Sequence, residues 1–79
     1  MDKNEVLSKV QEVFRDVLDN EVITLNEAIT ADDLEEWDSL THVQIIAGLE
    51  KEFGIKFTSK EILFWENVGD MVESICSRI

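Results

Sequence analysis

The stretch "WDSLTHVQII", residues 37–46, is where a polar run turns into an apolar helical pattern, and its reading decides the fold. Leu40, Val43, Ile46, Ala47, Leu49 and Phe53 recur at three- and four-residue steps, and Gly54 stands where a left-handed residue would end a helix. Asp38 or Ser39 is the natural N-cap, because a short oxygen-bearing side chain can accept the first unpaired backbone N–H groups.

Working outward toward the N-terminus, Val6, Leu7, Val10, Val13, Phe14, Val17 and Leu18 share one helical face and leave Lys9, Glu12, Arg15 and Asp16 outside. Periodicity is then lost over residues 19–37, yet Ile23, Leu25, Ile29 and Leu34 are spaced through this polar stretch, which points to a tethered loop. Toward the C-terminus, Ile55-Lys56-Phe57 forms an extended link and Thr58-Ser59-Lys60-Glu61 has the pattern of a capping box opening a short helix. Asn67 caps a last helix with the stripe Val68, Met71, Val72, Ile75 and Ile79. Strand alternation is absent over any useful length. The expectation is an all-α fold, a single domain over residues 1–79. It is a small four-helix bundle, three longer helices plus one short one, with a long loop between helices 1 and 2.

Composition narrows the function. A domain of 79 residues buries too modest a core to hold a deep catalytic pocket as well, so binding or carrying is the better expectation. The chain has 18 acidic and 7 basic residues, net −11. Such a field repels phosphate backbones and anionic bilayers and steers toward proteins with basic patches, so neither nucleic acid nor membrane is expected as a partner. The lone Cys76 cannot form an internal disulfide, and Met1-Asp2-Lys3-Asn4-Glu5 lacks a basic leader and a following apolar run. A cytoplasmic protein is expected.

Ser39 falls in the first turn of the second helix, where unpaired N–H groups and the helix dipole favour an attached or bound anion. The tripeptide alone reads first as a cap. The order of the elements changes that balance: a long helix, a long loop, Asp38-Ser39-Leu40, "LEKEFGIKF" closing the second helix, then a short capped helix and a last one. From about Val6 to Ile75 the chain resembles an acyl carrier protein, most specifically in "WDSLTHVQII". The resemblance implies that Ser39 receives 4′-phosphopantetheine from coenzyme A through a phosphopantetheinyl transferase, flanked by Asp38 as cap and an inward-turned Leu40. It also implies a monomer that performs no chemistry itself and hands acyl thioesters to acyl-loading and acyl-processing enzymes.

In carriers of this kind the second helix meets those enzymes. Here its exposed positions are expected to be Thr41, His42, Gln44, Ile45 and Gly48, with Glu35, Glu36, Glu50 and Glu52 at its ends; Trp37 either contacts partners or packs on the core. Gln44 departs from fatty acid synthesis carriers, which tend to have an acid in mid-helix. Trp37 before Asp-Ser-Leu looks more like stand-alone carriers of polyketide or other specialised acyl assembly.

The remaining residues read as structure. His42 could hydrogen-bond a partner or the arm, but a lone histidine on an exposed helix face reads first as solvated, with no second one to suggest a metal. Trp65 either contacts partners or, the preferred reading, packs on the core edge; Met71 and Cys76 read as packing; Ile45, if it faces inward, lines a cavity able to shelter an acyl chain. No metal ligand or catalytic residue is expected. A serine hydrolase would want Gly-x-Ser-x-Gly, and "WDSLT" has no glycine. A calcium loop from Asp32 would place Leu34 and Trp37 at ligand or glycine positions. The competing function is a non-covalent acidic helical adaptor that carries no arm.

Overall fold

Each helix begins where a side-chain oxygen accepts an orphan N–H. In a computed structural model that describes residues 2–79, Asp2 caps α1 (Lys3–Val17), Asp38 caps α2 (Ser39–Phe53), Thr58 caps α3 (Ser59–Phe64) and Asn67 caps α4 (Val68–Cys76). The Thr58–Glu61 capping box is reciprocal: Thr58 N–H donates to Glu61 Oε1 at 3.0 Å and Glu61 N–H to Thr58 Oγ1 at 3.2 Å. Gly54 ends α2 at φ 66°, as its position predicts. No strand occurs among the described residues, so the architecture is the all-α one the pattern predicts.

α1 ends in a Schellman arrangement. Asn20 N–H donates to Arg15 O at 3.0 Å and Asp19 N–H to Asp16 O at 3.4 Å, with Asp19 itself left-handed at φ 51°. α1 packs on α2 and α4, and α3 rests against α4. The core lies between them: Val6, Val10 and Phe14 from α1, Ile45 and Leu49 from α2, and Val68, Met71, Val72 and Ile75 from α4 are fully buried. Each such side chain contributes about 1.5–3 kcal/mol of burial free energy.

The long connection between α1 and α2 is tethered, as its spaced apolar residues predict. Ile23 and Leu25 enter the core. Gln11 Oε1 accepts from Leu25 N–H at 2.8 Å and Arg15 Nε donates to Ile23 O at 2.7 Å, so the polar edge of α1 holds the loop backbone. The first amides of α4 take loop carbonyls, Val68 N–H to Ile29 O and Gly69 N–H to Glu27 O, both at 2.9 Å. A single 3-10 turn, Ala31–Asp33, interrupts the loop, where Thr30 N–H donates to Asp33 Oδ2 at 2.9 Å, a local element with no apolar periodicity to mark it.

The phase of α2 corrects the sequence reading. Leu40 and Val43 are 69% and 64% exposed and Ala47 is exposed, whereas Ile45 is fully buried. Apolar residues occur on two sides of this helix, so periodicity alone does not say which side turns in. Tertiary packing selects Ile45 and Leu49, with Ile46 and Phe53 half-buried beside them. At the C-terminus, Ile79 lies beyond the end of α4 and is 49% exposed, so it does not extend the buried stripe.

Candidate functional site

Asp38 organises the head of α2. Its Oδ1 accepts from Leu40 N–H at 3.0 Å and Thr41 N–H at 2.9 Å, while Thr41 Oγ1 accepts from Asp38 N–H at 2.8 Å and donates to Glu36 O at 2.8 Å. This box fixes the first helical turn from both sides. The Thr41 N–H, followed by its hydroxyl and the Leu40 N–H, holds the Asp38 carboxyl below its ordinary value, because these donors favour the ionised form.

Ser39 stands between these partners as the first residue of α2 and is exposed. Among the described residues its hydroxyl and its own N–H make no hydrogen bond, so capping is assigned to Asp38 and the Ser39 oxygen stays free. It lies on the lip of a cleft of about 300 Å³ formed where the end of the long loop and the α3–α4 link meet the head of α2. Trp37, His42, Trp65 and Met71 line this cleft, with Glu66 and Asn67 at its polar edge.

The two tryptophans are anchored through their only donors. Trp37 is buried, edge-on to Phe14 with ring centroids 4.9 Å apart, and its Nε1–H donates to His42 Nδ1 at 3.0 Å. Trp65 is half-buried, edge-on to Phe57 at 4.9 Å, and donates to Ser74 Oγ at 2.8 Å. Burial pushes His42 below the ordinary histidine value, and the neutral ring is the form that can accept from the indole.

Most of the expected enzyme-facing residues are engaged inside the protein. Glu35, Glu36, Gln44 and Glu52 are exposed, and Glu36 also accepts from Asn20 Nδ2 at 2.8 Å. Ile45 and Trp37 are buried, which removes both from the surface and puts Ile45 in the core. Gly48 is half-buried against Val13 of α1. Thr41 spends its hydroxyl on the cap, His42 holds Trp37, Glu50 accepts from Phe57 N–H at 2.9 Å, and Glu52 pairs with Lys9 at 3.5 Å. His42 is therefore a packed residue rather than the solvated one expected. Leu40, expected to turn inward beside Ser39, faces solvent with Val43. No local pattern marks Trp65, Glu66 and Asn67 as site residues, because their position depends on how the α3–α4 link folds back.

Charge is sharply divided along the chain. Residues 16–50 contain ten of the 18 acids and none of the seven lysines and arginines. Lys3 and Arg78 are paired with Glu27 and Glu61, far from Ser39 in sequence. The head of α2 thus presents an acidic rim formed by Glu35, Glu36 and Asp38, all exposed.

Residues 8–75 match the family described as "Phosphopantetheine attachment site". An acyl carrier protein of Thermosynechococcus vestitus is 35% identical over 81 residues, covering 100% of this chain and 98% of its own length. The solution NMR structure of a holo acyl carrier protein from Geobacter metallireducens superposes with a TM-score of 0.86 at 35% identity, covering 91% of this chain and 83% of that one.

Proposed function

The chain belongs to the acyl carrier proteins, a family built around a phosphopantetheine attachment site, and from that membership we propose that Ser39 is the residue that bears the arm. The prosthetic group is 4′-phosphopantetheine, and the protein is a carrier, not a catalyst. When attached, the group supplies a thiol on which acyl units are held as thioesters.

The observation that carries the assignment is an exposed hydroxyl with no internal partner, at the first position of a long helix. Asp38 satisfies the next two amides and leaves the Ser39 N–H for an anion. The helix N-terminus is polarised positively, which favours a phosphate ester there. A transferase reaches the hydroxyl without any rearrangement of the core.

Recognition is proposed to combine long-range and contact terms. The acidic rim of Glu35, Glu36 and Asp38 raises the encounter rate with a phosphopantetheinyl transferase and with acyl-loading and acyl-processing enzymes bearing basic patches. Leu40, Val43 and Gln44 on the outward face of α2 then decide which enzyme fits. The pathway proposed is polyketide or other specialised acyl assembly ahead of housekeeping fatty acid synthesis. Support comes from Gln44, exposed where fatty acid carriers tend to place an acid, and from Trp37 preceding Asp-Ser-Leu. A monomer in the cytoplasm is the proposed working state. The lone Cys76 suits a reducing compartment, and no described helix is long and apolar enough to cross a membrane.

Intact-mass spectrometry tests the assignment. Incubation with coenzyme A, magnesium and a broad-specificity phosphopantetheinyl transferase is expected to add the mass of one phosphopantetheine, and Ser39→Ala to abolish the gain. An unchanged wild-type mass with several such transferases would leave the non-covalent adaptor as the better reading.

A further inference from the structure

We infer that His42 is a hydrogen-bond donor to the arm, offering its Nε2–H to a carbonyl oxygen of the chain attached at Ser39 when that chain folds into the adjoining cleft. The inference rests on Ser39 being the attachment residue.

Trp37 fixes which nitrogen carries the proton. An indole N–H can only donate, so His42 Nδ1, 3.0 Å from Trp37 Nε1, must be the unprotonated nitrogen. In the neutral ring the proton is then on Nε2. This nitrogen has no partner within the described residues, yet no buried side-chain nitrogen or oxygen among them is left unsatisfied. It is therefore accessible, on a half-buried residue that lines the cleft.

The setting suits a neutral carbonyl. The indole donors of Trp37 and Trp65 are already spent on His42 and Ser74. Asp38 and Glu66 present carboxylates to the cleft edge, which accept and do not donate. With the Ser39 hydroxyl esterified, two side-chain donors remain along the cleft, His42 Nε2–H and the Asn67 amide, whose oxygen accepts from Asp70 N–H at 2.9 Å. His42 is one helical turn from Ser39, with β-carbons about 5–6 Å apart at that spacing. A pantetheine arm has two amide carbonyls, and a thioester adds a third when loaded. A carbonyl on a flexible chain tethered to Ser39 can reach this donor beside the Trp65 and Met71 walls of the cleft, where exclusion of water strengthens the hydrogen bond.

The test uses ¹³C,¹⁵N-labelled protein converted to the holo form with unlabelled coenzyme A, with conversion verified by mass. Long-range ¹H–¹⁵N correlation is expected to show His42 unprotonated at Nδ1 and protonated at Nε2. Isotope-filtered spectra are expected to show contacts between the His42 ring protons and the unlabelled arm. His42→Phe should lose those contacts and return the arm proton shifts to those of free pantetheine, and His42→Gln, which restores an amide donor, should recover part of them. A proton on Nδ1, a fully converted wild type whose arm resonances match free pantetheine, or arm contacts that survive in His42→Phe would each overturn the inference while leaving Ser39 as the attachment site. Failure of the mass gain itself removes the attachment reading, and this inference with it. Should His42→Phe fail to fold, the wild-type tautomer and contacts still decide.

Discussion

Gly48 and Val13 mark the closest approach of α2 to α1: a β-carbon on Gly48 would lie 2.9 Å from Val13 Cγ1, closer than real contacts permit. The glycine is thus a packing requirement and not a tolerated flaw in the helix. Alanine would improve helix propensity by up to about 1 kcal/mol. It would also force a stiff β-branched side chain off its seat, an overpacking cost of about 1–3 kcal/mol. Gly48→Ala is therefore expected to lower the urea midpoint with an unchanged m-value. A raised midpoint would mean that the two helices have slack to separate.

The outward turn of Leu40 and Val43 makes a paired prediction. Leu40→Ala and Val43→Ala should change stability by no more than about 0.5 kcal/mol while slowing modification at Ser39, read as the rate of mass gain. Ile45→Ala, at a fully buried position, should cost about 2–5 kcal/mol. Were Leu40→Ala to unfold the protein instead, the phase assigned to α2 would be wrong.

That phase is the part of the fold that the local pattern does not specify. α1 and α4 have their apolar residues concentrated on one side, so Val6, Val10, Phe14, Val68, Met71, Val72 and Ile75 were all legible as core. The Thr58 and Asn67 caps are equally legible, because they act through backbone groups three residues away, whereas at α2 the sequence offers both Asp38 and Ser39 and the structure assigns the cap to Asp38. α2 offers Leu40, Val43 and Ala47 on one side and Ile45, Ile46 and Leu49 on the other, so local pattern has two solutions and only the neighbouring helices choose. The cleft was illegible for a related reason: it joins Trp37 and His42 to Trp65 and Asn67, and nothing local to either segment specifies the meeting.

Asp19 holds a left-handed conformation, φ 51°, in a position usually given to glycine. Left-handed backbone costs an ordinary residue about 1–2 kcal/mol, and glycine's greater freedom in the unfolded chain returns roughly 0.5–1 kcal/mol of that. Asp19→Gly is expected to raise stability by a few tenths to about 1 kcal/mol in urea melts. The Ser39 reaction should be untouched, since the residue lies at the far end of the loop in sequence. A loss of stability would show that the Asp19 side chain contributes an interaction beyond its backbone.

The Trp37–His42 hydrogen bond predicts a pH dependence whose sign follows from burial. His42 is held below its ordinary value of 6.5 by desolvation, so the unfolded chain takes up the proton first as pH falls. Stability from the neutral ring is complete above that ordinary value and is lost as pH falls from it toward the lower folded value. Other groups move in the same experiment: the net charge of −11 shrinks toward the isoelectric point near 4.2, relieving repulsion. The depressed carboxyl of Asp38 matters only below the ordinary carboxylate range. The informative quantity is therefore the difference between the wild type and His42→Gln, measured by urea unfolding between about pH 8 and pH 5. It should be flat above pH 7 and turn against the wild type below about 6.5. Trp37 fluorescence should shift over the folded-state titration, because a protonated ring has no lone pair for the indole. A difference independent of pH would mean that folding leaves the His42 proton affinity unchanged, and one that grows in favour of the wild type on acidification would mean that the native state favours the charged ring; either result overturns the neutral, indole-accepting imidazole as the source of a pH dependence.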